Sequence, residues 1–229
     1  MFTPSKRWLR LTGGVIALAA QATLTPANVA ASEMDAGCRS AILETERQLN
    51  IPNGLLMAMA LVERGRDGEA WHYTLTFGLR TTYPETAEAA ARQLRDEQGQ
   101  LRRNLHVGCL QLSLRHHYAA FSPVERIIDP EANVRYAGNY LVQFLDQRSD
   151  RRRNDGRRND WSAAVQRYNG GPAHRSSGYL CRVWRHLVEI DPDSAAVLRA
   201  EGCGHSRRVE ISAAVRSAFQ TNQIADGSD

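Results

Sequence analysis

The chain has 229 residues, 42% hydrophobic and 24% charged, a balance that fits one globular domain and excludes a fibre or a wholly disordered polypeptide. Its formal charge of +4 falls to +1 when the first 31 residues are set aside, because they hold Lys6, Arg7 and Arg10 and no acid. That near-neutral remainder excludes a strongly basic protein built to bind nucleic acid.

Those first residues run in the order of a secretory signal. A cationic start precedes the apolar run Val15-Ile16-Ala17-Leu18-Ala19-Ala20, and small residues follow to Val29-Ala30-Ala31. The run is shorter than the ~20 residues a membrane span needs, so residues 1–31 are expected to be removed on export. No later segment is apolar for long enough to span, so no stable membrane span is expected after cleavage.

The rest reads as mainly helical. Met34, Cys38, Ala41, Ile42, Thr45 and Leu49 form a helical stripe. Pro52 stands where a first turn tolerates it, before the run Leu55 to Val62, which is apolar on all sides and so predicts a buried helix. That helix ends in charge, Glu63-Arg64-Gly65-Arg66-Asp67-Gly68. Residues 69–83 read as aromatic and irregular. A short helix is predicted from about Pro84 to Glu97, then Gly99, and residues 104–115 read as a loop with short extended pieces. Asp129-Pro130 predicts an N-cap and first turn, followed by a stripe of Val134, Ala137, Tyr140, Leu141, Phe144 and Leu145.

The segment Arg152-Arg153-Asn154-Asp155 recurs as Arg157-Arg158-Asn159-Asp160, a local duplication with the composition of a solvated loop. Asp160 predicts the cap of a helix through Trp161, Ala164 and Tyr168, broken at Asn169-Gly170-Gly171-Pro172. A last amphipathic helix carries Tyr179, Leu180, Val183, Trp184, Leu187 and Val188. The domain is therefore expected over 32–190, with 191–229 as an extension whose end, from 222, is expected to be disordered.

The four cysteines, Cys38, Cys109, Cys181 and Cys203, are an even count in a chain expected to be exported, which points to disulfides. Three connectivities exist, and Cys38–Cys109 with Cys181–Cys203 is the favoured one. Zinc is the rival, but these cysteines lack the close C-x-x-C spacing it prefers. No metal or other cofactor is expected.

Glu63 is the candidate for chemistry. It lies four residues from Met59, seven from Leu56 and eight from Leu55, on an apolar helix face rather than a solvent face. It also lies at a helix C-terminus, where the dipole opposes negative charge. Both effects favour the protonated carboxyl, the form a glycosidic general acid needs. The other reading is an ordinary helix-ending Glu that points outward.

Two more segments bear on it: Gly108-Cys109-Leu110-Gln111-Leu112 and Ala164-Val165-Gln166-Arg167-Tyr168-Asn169-Gly170. In this order, with Glu63-Arg64-Gly65 ahead of them, they resemble the soluble lytic transglycosylase (SLT) domain of the lysozyme superfamily over about residues 38–180. Asp129 to Val134 resembles the family's helix start before the last segment. The early Cys with Gly-Cys-x-Gln is most similar to short exported enzymes of Gram-negative bacteria.

The resemblance implies a lysozyme-like, two-lobed domain with a substrate cleft, located in the periplasm. It implies cleavage of the MurNAc–GlcNAc bond of peptidoglycan. Glu63 would protonate the glycosidic oxygen, then act as base on the C6 hydroxyl of the muramic sugar, leaving a 1,6-anhydro ring and needing no second carboxylate. Tyr168 would hydrogen-bond Glu63 or the sugar. Gly108, Gln111 and Asn169 would line the cleft, and Trp71 and Tyr73 would stack on sugars or else pack in the core. A secretion, conjugation or flagellar assembly is the implied partner, for which the Arg-rich segment 148–158 offers a contact. There are departures. Arg64 replaces the family's Ser, and either pairs with substrate carboxylates or points out. His106 stands where Asp is common, and the neighbouring His116 and His117 read as structural. A hydrolytic muramidase of the same fold and a catalytically inactive wall-binding module remain the alternatives.

Overall fold

The computed structural model describes residues 26–149, 160–204 and 209–226. Residues 1–25 of the expected leader, residues 150–159 of the Arg-rich loop, and 227–229 lie outside them. So does the side chain of Met34.

Local sequence explains most helix limits. The first helix, α1 (Pro26–Leu49), starts within the expected leader and continues past position 31 without a break. Its stripe holds: Cys38, Ala41, Ile42 and Thr45 are buried. The second, α2 (Leu55–Arg64), buries every residue from Leu55 to Leu61. Each fully buried aliphatic of this run contributes about 1.5–3 kcal/mol, so the helix is fixed by packing on every side. Its buried N-terminus is satisfied from within the core: the carboxyl of buried Glu46 accepts from the N–H groups of Gly54 at 2.7 Å and Leu56 at 2.6 Å.

Residues 69–83 are more regular than the sequence predicts. They hold β1 (Leu75–Phe77) and β2 (Arg80–Thr82), joined through Gly78 and Leu79. The expected extended pieces downstream are β3 (Leu105–Val107) and β4 (Leu112–Ser113). Together they form an antiparallel sheet in the order β2-β1-β3-β4. Pairing across β1–β3 supplied the regularity that the local pattern lacks. The short helix is α3 (Ala87–Gln93), later in its start than expected, because Thr86 rather than Pro84 caps it by accepting from the Ala89 N–H at 3.1 Å.

After the one-turn α4 (Leu114–His117) and two 3₁₀ turns comes α5 (Pro130–Ser149). Asp129 accepts from the Ala132 N–H at 2.8 Å, as its N-cap position predicts. Asp160 likewise caps α6 (Trp161–Asn169), accepting from Ala163 at 3.1 Å. The amphipathic α7 (Ala173–Ile190) buries Tyr179, Leu180, Val183 and Leu187. Helices α1, α2, α5, α6 and α7 enclose the core, and the sheet and α3 add Leu75, Ala90, Leu105, Val107 and Leu112 to it. The fold is therefore mainly α with one small sheet.

The tail is not separate from this body. Beyond α8 (Pro192–Ala195), α9 (Ala213–Asp226) buries Val215 and Phe219 in the same core, and it runs to Asp226 where the sequence reads as disordered from 222. Ser212 ties the tail to the turn after α2: its N–H donates to Gly68 O at 3.1 Å and its hydroxyl to Glu69. Arg39 in α1 holds the same carboxylate at 2.9 Å.

The disulfides are Cys38–Cys109 and Cys181–Cys203, the favoured pairing. Such bonds accord with an oxidising compartment. Among the described residues, no helix is long and apolar enough to cross a membrane.

Candidate active site

The site begins at the end of α2. Packing buries that helix as far as Leu61, so the next turn emerges at the body's surface with Glu63 only partly exposed. The chain must then leave at once. A Cβ on Gly65 would lie 2.8 Å from Leu61 Cα and 3.0 Å from Glu69 O, so only glycine fits that exit.

Glu63 lines a cavity of about 600 Å³, within the usual size range of small-ligand sites. Its walls come from the β3–β4 turn (His106, Gln111, Ser113), from α4 (Arg115, His116, His117), and from the end of α6 (Arg167, Tyr168, Asn169) with Gly170 and Gly171. Among the described residues lining it, Glu63 is the sole acid.

The phenol of Tyr179 donates to Glu63 Oε1 at 2.8 Å. Burial pushes the carboxyl up to about 7, against the Tyr179 hydrogen bond and the nearby charges of Arg64 and Arg182, which favour ionisation. Burial, and next the nearby carboxylate, hold the phenols of Tyr168 and Tyr179 well above their ordinary range, so both remain donors. Burial also lowers His106 and His117, keeping both imidazoles toward the neutral form.

The Gly108–Gln111 turn is built rather than draped. Gly108 has φ +80°, and a Cβ there would meet Asn133 Nδ2 at 2.4 Å. The fully buried Asn133 amide donates to Val107 O at 3.0 Å and Ile127 O at 2.9 Å, and accepts from Leu110 N–H at 3.1 Å. Gln111, itself at φ +47°, donates through Nε2 to Thr74 O at 3.1 Å and Gly108 O at 3.0 Å. The Cys38–Cys109 bond pins the turn to α1.

Of the residues expected at the site, Glu63, Gln111, Tyr168 and Asn169 come together around the cavity. Several roles change. Tyr168 donates to Leu110 O at 2.9 Å and not to Glu63, so it braces the turn. Gln111 is buried and commits its amide nitrogen to backbone carbonyls. Gly108 sits behind the cavity, under Asn133. Trp71 stands apart, edge-on to Tyr83 with Arg66 over its ring at 5.2 Å. Tyr73 borders a different hollow, between α3 and the start of α5. Arg64 turns away along the sheet, donating to Thr81 Oγ1 at 3.1 Å and to its neighbour's carbonyl, Glu63 O, at 2.9 Å. These three residues lie between the end of α2 and the start of β1, and the sheet against which Arg64 lies was not legible in the local pattern.

Tyr179, legible in the sequence only as part of an apolar stripe, is the residue whose side chain bonds Glu63. His106, His116, His117, Arg115 and Arg167 also line the cavity. His117 shares a hydrogen bond of 3.0 Å with the Tyr136 hydroxyl and packs edge-on to Tyr140. Among the described residues, no group of three or more His, Cys, Asp or Glu is placed to hold a metal ion.

Compared with protein-family models, with curated proteins and with solved structures, the chain matches none.

Proposed function

We propose that the protein is an exported peptidoglycan lytic transglycosylase of the SLT type, with Glu63 as its single acid/base. The observation that carries this reading is a lone, partly buried carboxyl in a sugar-sized cavity, held toward neutrality at about 7. A group poised there can give a proton to the glycosidic oxygen and then take one from the C6 hydroxyl of the same muramic sugar. The C6 oxygen forms a bond to C1 as the leaving sugar departs, so water is not consumed. The usual paired-carboxylate hydrolysis needs a second acid about 5–9.5 Å from the first, and none lines the cavity among the described residues.

In this reading α2, α5, α6 and α7 form one lobe of a lysozyme-like domain, and the sheet with α3 forms the other. Asn169, with the neutral imidazoles of His106 and His117, would meet sugar hydroxyls and amides. Arg115 and Arg167 would face the carboxylates of the lactyl and peptide groups. Tyr179 would orient Glu63. The enzyme would act on glycan strands in the periplasm, after removal of residues 1–31, and could serve a secretion, conjugation or flagellar assembly.

The test is digestion of sacculi by the native chain and by Glu63→Gln, with mass spectrometry of the products. Anhydro-muropeptides from the native chain alone support the proposal. Reducing ends would indicate a hydrolytic muramidase, absent digestion by both would indicate a binding module, and equal digestion by both would mean that Glu63 is not the acid/base.

A further inference from the structure

The sheet has two faces, and only one belongs to the cavity. Directly paired residues of an antiparallel sheet project to the same side. The register Thr76↔Thr81, Thr76↔His106 and His106↔Ser113 puts these four on one face, where His106 and Ser113 line the cavity. The register Phe77↔Arg80 and Phe77↔Leu105 puts Phe77, Arg80 and Leu105 on the other.

That reverse face carries a groove of about 410 Å³ into which four arginines converge: Arg80 from β2, Arg92 from α3, and Arg95 and Arg102 from the strap that follows it. Among the described residues no acid lines the groove. Arg95 pairs with Glu125 at 3.2 Å, which leaves the excess positive. At the groove's end the β1–β2 turn projects Leu79, which is 101% exposed, and Phe77, which is 44% exposed. Two of the three large exposed hydrophobic residues described therefore sit on one hairpin beside the basic groove.

We infer that this hairpin face docks the protein on an anionic phospholipid surface, with Leu79 and Phe77 entering the interface and the arginines meeting lipid phosphates. An apolar tip flanked by arginines suits a bilayer, which accepts a protruding side chain without a matching pocket and supplies a field of negative charge. Burying Leu79 removes from water a side chain that the fold leaves wholly exposed. Docking by the reverse face keeps the Glu63 cavity open to a polymer beyond the membrane. This inference does not depend on the activity proposed for Glu63.

Vesicle co-sedimentation of the full chain tests it, with Leu79→Ser and the double variant Arg80→Glu/Arg92→Glu run beside the native protein so that the apolar run at 15–20 is common to all. Phosphatidylglycerol-containing vesicles and pure phosphatidylcholine vesicles are the probes. The double variant is expected to weaken partition onto the anionic vesicles by about thirtyfold or more. Leu79→Ser is expected to weaken it measurably, and on phosphatidylcholine at moderate salt the native protein and the double variant should behave alike. Both sites are exposed, and unchanged circular dichroism shows that folding is intact. Equal partition of all three proteins, or no partition of the native chain, overturns the inference. So does binding that follows the arginines but not Leu79 and is matched by soluble polyglutamate, because that pattern belongs to an acidic protein partner.

Discussion

Tyr179 in α7 donates its phenolic proton to Glu63 at the end of α2, at 2.8 Å and across 116 positions of sequence. The bond opposes the effect of burial: desolvation favours the neutral carboxyl, and the phenol stabilises the ionised one. Tyr179→Phe should therefore move the Glu63 titration upward. In the proposed reaction the protonated carboxyl starts the chemistry, so kcat/KM should fall as pH rises through about 7 in the native chain. The fall should begin at higher pH in the variant. Muropeptide release measured across pH checks this; a profile that does not move would show that Tyr179 does not set the carboxyl's proton affinity.

The turn under the cavity should be intolerant of a methyl group. Gly108→Ala places Cβ 2.4 Å from Asn133 Nδ2 at a φ of +80°, at an expected cost of about 3 kcal/mol. Asn133→Ala should cost about as much, by orphaning the Leu110 N–H and the carbonyls of Val107 and Ile127. Because the second change removes the atom that the first collides with, the double variant should lose less than the sum. Denaturant melts of the four proteins give the coupling, and strict additivity would contradict the contact.

The disulfides should differ in weight. Cys38–Cys109 closes 71 positions and Cys181–Cys203 closes 22. Loop-closure entropy then assigns about 4 kcal/mol to the first and about 3 kcal/mol to the second. Paired Cys→Ser variants compared by urea unfolding check the order. Loss of the first should also slow catalysis at native pH, because that bond anchors the Gly108–Gln111 turn.

Stability should decline as pH rises through neutrality. Burial pushes Glu46 up to about 8 and Glu63 up to about 7, so for both the folded state holds its proton more tightly than the unfolded state. Their contribution is full below the ordinary value of 4.5 and is lost progressively as pH rises to about 8. Glu46→Gln should flatten the dependence of unfolding free energy on pH between these limits. An unchanged slope would mean that Glu46 is ionised in the folded protein.

Much of the helical framework was legible because its signals are local. An apolar run too greasy for any surface predicts α2, and Asp129, Asp160 and the residues after them mark the starts of α5 and α6 by caps that act within three residues. The sheet was less so. Its strands are two or three residues long, too short for a periodic pattern, and β1 is regular only because β2 and β3 flank it. The resemblance implies roles at the site for Trp71, Tyr73 and Arg64, but Trp71 packs edge-on to Tyr83, Tyr73 borders the hollow between α3 and the start of α5, and Arg64 bonds to Thr81, contacts that no local pattern carries.

The sequence by itself determined that a carboxyl would end a helix buried on all sides, and that an even set of cysteines would be available to pair, since composition and i, i+4 spacing suffice for both. Which aromatic hydroxyl reaches that carboxyl was decided only by the tertiary structure. Partly buried Tyr168 and buried Tyr179 both carry phenols near Glu63, and the relative placement of α2, α6 and α7 gives the carboxylate to Tyr179 and the Leu110 carbonyl to Tyr168. A hydrogen bond spans about 3 Å and selects its partner by angle, so it depends on how helices pack, and no local pattern carries that information.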